Sequence, residues 1–261
     1  MGLIICLESG LKEGKRNFYQ MTKRQEKIFK IILEEYVKTA EAVSSDYLST
    51  KLKPKASSAT IRLEMAELVK KGYLEQKHIS AGRTPTLKGF RYYVFQLLPA
   101  EEKEKSVNKK RRLQKIKGQN LDQLSLVKKL IKKVAFLSGD LALVKFENND
   151  FYYTGFSYLF QQPEFQNALI LHEFSRAVDQ LDALIPEILD GLGMETQILM
   201  GQKTFLGGSC SAILTRCDLP GVERNCGLIG ILGPIRMNYH RNLSLLEEMK
   251  EIINQELFLE D

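Results

Sequence analysis

A chain of 261 residues, 44% hydrophobic and 27% charged, is long enough to bury two modest cores and has the composition of a globular protein. No apolar run approaches the roughly 20 residues of a membrane span, so the expectation is a cytoplasmic protein with no membrane partner. The formal net charge of +6 divides unevenly. Residues 1–117 carry 26 Lys/Arg against 13 Asp/Glu, and residues 118–261 carry 12 against 19, so a polyanion would meet the first half.

Residues 1–20 read as a disordered extension, or as a start placed too early: the apolar stretch Leu3–Leu7 is short for a signal core and has no basic residues before it. The segment TKRQEKIFKIILEEYVKTA (22–40) predicts an amphipathic helix. Thr22 and Gln25 stand at capping-box spacing, and Phe29, Ile32, Leu33 and Tyr36 follow the helical repeat. A second helix fits Ser45–Leu52, capped by Ser44 or Ser45, and Lys53-Pro54-Lys55 ends it.

SSATIRLEMAELVKKGYLE (57–75) predicts a third helix with two unlike faces. Ile61, Met65 and Leu68 share the inward face, while Ala59, Arg62, Leu63 and Ala66 gather on the other. Gly72 ends it as a C′ glycine. A strand is expected over Tyr73–Ile79, turning through Ala81-Gly82-Arg83, and Thr86 can cap a further helix. Helices followed by a basic β-turn make a winged helix-turn-helix over residues 21–98. Small Ala59 and Ala66 let the third helix approach a groove, where Arg62 can reach a base edge and Leu63 a thymine methyl. Ser57, Ser58 and Thr60 lie at its N-terminus, suited to phosphate. The candidate DNA contacts are Ser45, Lys55, Ser57, Ser58, Ala59, Thr60, Arg62 and Leu63, with Lys77, His78, Ser80 and Arg83 from the wing.

Residues 99–125 read as a basic linker, since 99–117 carry 8 basic and 3 acidic side chains. From 126 to 261 short strands mix with helices. Strands are expected at Ala142–Phe146, Phe151–Gly155, Glu195–Met200, Ser211–Arg216 and Gly227–Leu232, with a hairpin turn at Asn148-Asn149-Asp150. Helices are expected at Glu164–Asp179, Leu181–Leu189 and Leu243–Glu256. This order predicts an α+β domain on an antiparallel sheet. Arg236 falls at a strand–helix corner, placed to pair with a carboxylate or to cross a dimer interface, and Asn238 or Asn242 starts the last helix.

No enzyme is legible. The three histidines, His78, His172 and His240, are scattered, and Gly207-Gly208-Ser209-Cys210 has no general base at a readable spacing. Cys6, Cys210, Cys217 and Cys226 lack C-x-x-C spacing and read as reduced thiols, with no metal site expected.

The segments TKRQEKIFKIILEEYVKTAEAVSS, SSATIRLEMAELVKKGYLEQKHISAGRTPTLKGFRYYV, YTGFSYLFQQPEF and GLIGILGPIRMNYHRNLSLLEEM resemble the HrcA family of bacterial heat-inducible transcription repressors. They cover most of residues 22–95 and 151–250. The resemblance implies a homodimer with an N-terminal winged helix and a C-terminal GAF-like domain. It implies an inverted-repeat operator in double-stranded DNA before chaperone operons of the groE and dnaK type, and a GroEL-type chaperonin partner. No cofactor is implied. The chain departs from the family pattern at Leu63, usually Asn, and at Ala40, Ala42 and Ser44, usually Gly, Pro and Gly. The stretch before YYTGF is short by about the family's inserted dimerisation segment. Two rival readings stay open: a winged-helix regulator whose GAF-like half senses a small ligand, and a winged helix that docks protein.

Overall fold

The computed structural model describes residues 20–52, 56–76, 82–99, 112–116, 122–146, 150–181, 183–184, 196–201, 206–222 and 227–257. They form two compact units, parted near residue 100. Residues 1–19 of the expected extension, the breaker Lys53-Pro54-Lys55, Lys77, His78, Ile79, Ser80, Ala81, most of the basic linker, the turn residues Asn148 and Asn149, most of Leu181–Leu189, and Cys6 and Cys226 lie outside the described residues.

In the first unit, α1 (Lys23–Thr39) opens with the expected capping box: Gln25 N donates to Thr22 Oγ1 and Thr22 N donates to Gln25 Oε1, both at 3.2 Å. Ile28, Phe29, Ile32 and Leu33 are buried along its inner stripe. Tyr36, expected on that stripe, is only half-buried. Helix α2 (Ser45–Lys51) is capped by Ser44, and α3 (Ser58–Lys70) by Ser57, whose Oγ accepts from Thr60 N at 3.1 Å. Ile61, Met65 and Leu68 are buried, so the expected inner face of α3 holds it against α1 and α2. Gly72, at φ +76, closes α3: Tyr73 N donates to Leu68 O and Gly72 N to Val69 O, the paired bonds of a Schellman ending.

That ending corrects the expected strand from Tyr73. Tyr73 terminates the helix, and among the described residues of that stretch β1 (Leu74–Glu75) pairs, antiparallel with β2 (Thr84–Pro85); residues 77–79 lie outside the described residues. The chain between α1 and α2 joins them through a bridge in which Val43 and Arg83 exchange backbone bonds of 2.9 Å. Gly82 is needed there, because a Cβ would stand 2.5 Å from the Val43 carbonyl. Thr86 caps α4 (Leu87–Tyr92), which runs into a π-helical turn at Tyr93–Leu97. Phe29, Tyr73 and Tyr92 pack their rings at centroid separations of 5.0–6.3 Å, the aromatic centre of this unit.

The second unit is built on a five-stranded, all-antiparallel sheet in the order β4-β3-β7-β6-β5. Its strands are β3 (Leu141–Lys145), β4 (Phe151–Thr154), β5 (Gln197–Met200), β6 (Cys210–Cys217) and β7 (Gly227–Pro234). A helix absent from the sequence-based expectation, α5 (Gln123–Ser138), leads into it; Asp122 caps one end and Gly139, at φ +71, the other. Its lysines stand outside while Leu126, Val127, Leu130, Ile131, Val134 and Ala135 are buried. Residues 112–116, expected as linker, are packed into this unit. Leu113 and Ile116 are buried, and Glu248 accepts the Arg112 and Leu113 N–H groups at 2.8 Å each.

The expected Glu164–Asp179 helix is divided. A 3-10 turn at Pro163–Gln166, preceded by a short α6 (Phe156–Leu159), comes before α7 (Ala168–Asp179), because Asn167 ends the 3-10 turn and caps α7. The last helix, α8 (Tyr239–Leu257), starts after Asn238, the first of the two expected caps, and ahead of the expected Leu243: Asn238 Oδ1 accepts from Arg241 N at 3.0 Å. Leu141, Leu143, Ala212, Leu214, Leu228 and Leu232 meet α7 on one face of the sheet. Period-two alternation turns their neighbours toward the other face, where α5 and α8 pack on each other and on the strands.

Candidate nucleic-acid interface

Helices α2 and α3 bring seven of the expected contact residues together. Ser45 begins α2; Ser57 caps α3; Ser58, Ala59, Thr60, Arg62 and Leu63 fill its first turns. The outer side is bare: Ala59, Arg62, Leu63 and Ala66 are exposed, Leu63 at 70%. Small residues at 59 and 66 leave the helix backbone approachable along that side.

Hydroxyls at the helix front are bonded among themselves. Ser57 Oγ and Thr60 Oγ1 are 2.8 Å apart, Ser58 Oγ donates to Asp46 Oδ1 at 2.8 Å, and Ser45 Oγ lies 3.3 Å from Ser58 Oγ. Arg62 Nε donates to Ser45 Oγ at 3.1 Å, and its Nη2 stands 3.8 Å from Asp46 Oδ1. Asp46 was not legible as part of this surface, since an acid in a helix's first turn is ordinarily explained by the helix dipole. Behind the face, Gln25 Nε2 donates to Glu64 Oε2 at 3.0 Å and Lys71 Nζ to Gln25 Oε1 at 2.8 Å, which fixes the roll of α3 on α1. On α2, Tyr47 OH donates to Glu35, and that bond pushes the phenol above its ordinary range.

Arg83 sits elsewhere. It lies at the base of the β1–β2 pair, half-buried and tied by its backbone to Val43, not on an exposed tip. Lys55, Lys77, His78 and Ser80 fall among the residues not described.

In the second unit the two motifs singled out by sequence meet. Arg236 pairs with Glu164 at 2.5 Å, and its Nη2 donates to Gln162 Oε1 at 2.6 Å. Gln162 Nε2 donates in turn to Gly139 O at 2.9 Å. Asn242 is buried and donates to Asp140 Oδ2 at 2.9 Å, while Arg241 donates to Ser138 O. The corner arginine therefore takes the carboxylate partner that its position allowed. Cys210 and Cys217 are buried free thiols, each pushed up to about 12 by burial. Among the described residues no group of three or more His, Cys, Asp or Glu could hold a metal ion, and no helix is long and apolar enough to cross a membrane.

Residues 94–243 match the family described as HrcA protein C terminal domain. The chain is similar to the heat-inducible transcription repressor HrcA of Ligilactobacillus salivarius, 30% identical over 227 residues, which is 82% of this chain and 63% of that one. It is 45% identical over 87 residues to the repressor of the same name from Mesoplasma florum, 33% of this chain and 25% of the relative. The chain thus spans from about a quarter to under two thirds of these curated relatives. A solved structure of a hypothetical protein shares the fold at a TM-score of 0.69 and 15% identity, covering 90% of this chain and 98% of that one.

Proposed function

The chain belongs to the HrcA family, and from that premise we propose that it is a DNA-binding transcription repressor of heat-shock chaperone genes. In this reading residues 21–98 are a winged helix and the second unit is a GAF-like regulatory and dimerisation domain. Two copies read an inverted-repeat operator, each laying α3 in a major groove, and block transcription by occupying the promoter. A GroEL-type chaperonin is the partner that keeps the repressor active, and the cytoplasm is its compartment.

The observation that carries this reading is the outer face of α3. Arg62 and Leu63 stand exposed between two alanines, beside a helix N-terminus dressed in hydroxyls. A thymine methyl in a major groove would cover the exposed Leu63. The hydroxyl bonds now made within the protein can be exchanged for phosphate oxygens at little cost, because one hydrogen bond replaces another.

Selection of bound duplexes from a random pool tests the proposal. The expected outcome is an inverted repeat with fixed half-site spacing. Failure to enrich any duplex, or binding indifferent to salt, overturns it.

A further inference from the structure

Asp46 is an odd residue for a surface meant to meet phosphates. Its side chain is 77% exposed beside the front of α3, and its Oδ1 accepts from Ser58 while drawing Arg62 Nη2 to 3.8 Å. The adjacent Ser45 takes the Arg62 Nε–H at 3.1 Å. Two neighbouring residues of α2 therefore hold one guanidinium of α3, although that side chain remains 67% exposed.

The helix dipole accounts for an acid in the first turn of α2, but an exposed ion pair of this length adds little to stability, so holding the fold together does not explain the hold on Arg62. Specificity does. An unrestrained arginine samples many rotamers and can swing to a phosphate as readily as to a base edge. With Nε committed to Ser45 and Nη2 held near Asp46, the guanidinium is fixed in one orientation beside the outer face of α3, from which it can meet a guanine edge. The Asp46 carboxylate also repels phosphate oxygens at the spot where Arg62 would otherwise be captured. Resting on the DNA-binding reading, we infer that Asp46 is a positioning residue for specificity: it keeps Arg62 for bases and withholds it from the backbone.

The experiment measures affinities for the selected operator and for a scrambled duplex, using wild type, Asp46→Ala, Arg62→Ala and the double variant. Asp46→Ala is expected to bind the scrambled duplex more tightly and to lose roughly tenfold of its discrimination. On an Arg62→Ala background, Asp46→Ala should leave discrimination unchanged, because the residue acts through Arg62. Discrimination equal to wild type in Asp46→Ala, or the same loss with Arg62 already removed, overturns the inference. A second measurement needs no DNA: nitrogen relaxation of the Arg62 Nε–H in the free full-length protein. It should report an ordered side chain in wild type and a loosened one in Asp46→Ala; equal order in both removes the contact. Failure of the wild type to bind any duplex refutes the DNA-binding reading, whereas the relaxation result still judges the contact by itself.

Discussion

Asp140 shows what a single residue contributes here. It is buried between the end of α5 and the start of α8. Oδ2 accepts from Asn242, and Oδ1 has no hydrogen-bond partner. Burial pushes its carboxyl up to about 7, against the opposing pull of the Asn242 bond and of the Arg241 and Arg236 charges. Those guanidiniums are aimed elsewhere, at Ser138 O and at Glu164, which is why they do not neutralise it. The folded value lies above the unfolded value of about 3.9, so the folded state holds the proton more tightly. That contribution to stability is complete below about pH 4 and is lost as pH rises toward 7. Asp140→Asn mimics the protonated acid. Urea midpoints should show the variant gaining on wild type between about pH 4 and pH 7; a gap constant with pH would mean that the carboxyl titrates alike in the folded and unfolded chain. Gly233 belongs to the same cluster, since a Cβ there would stand 2.5 Å from Asp140 Oδ1.

Among the elements, the turn between α1 and α2 carries measurable strain. Ala40 adopts φ 59 and ψ 13 while its N–H bonds to Tyr36 O, the left-handed ending that favours glycine. The family resemblance implies glycine at this position, so the departure noticed in the sequence has a physical consequence. An L-residue in this conformation costs about 1–2 kcal/mol, partly offset by the greater freedom glycine has when unfolded. Ala40→Gly should therefore stabilise the first unit by about 0.5–1 kcal/mol in a denaturant titration; destabilisation would show that the methyl packs. The elements most legible from sequence were those set by local chemistry. Thr22, Ser57 and Thr86 cap where their spacing placed them, and Ile61, Met65 and Leu68 are buried as their period required. Legibility failed where local signals conflicted. The helix α5 was not read from the sequence, although most of it lies in the stretch assigned to the second domain, and Asn167 interrupts what periodicity alone read as one helix.

At the scale of the whole molecule, the charge division falls close to the parting of the two units. If only the first unit meets DNA, the logarithm of affinity should fall linearly with that of salt, by about 0.9 per phosphate contacted. Lys132, exposed on α5 in the second unit, should then be silent: Lys132→Gln is expected to leave the slope unchanged. A shallower slope in that variant would bring the second unit to the duplex.

The two faces of α3, its caps and the basic character of its unit were determined by the sequence itself, because they depend on neighbours within a turn or two. Leu63 could be placed on the outside from helical period alone. The partners of Arg62 and the surroundings of Asp140 were decided only by the tertiary structure. Asn242 reaches Asp140 across 102 residues, and Arg236 reaches Glu164 across 72. The fold brings such pairs together through strand order, with β3 beside β7 and α8 returning over the sheet. Periodicity reports which way a side chain faces; only the packed layers report what it meets there.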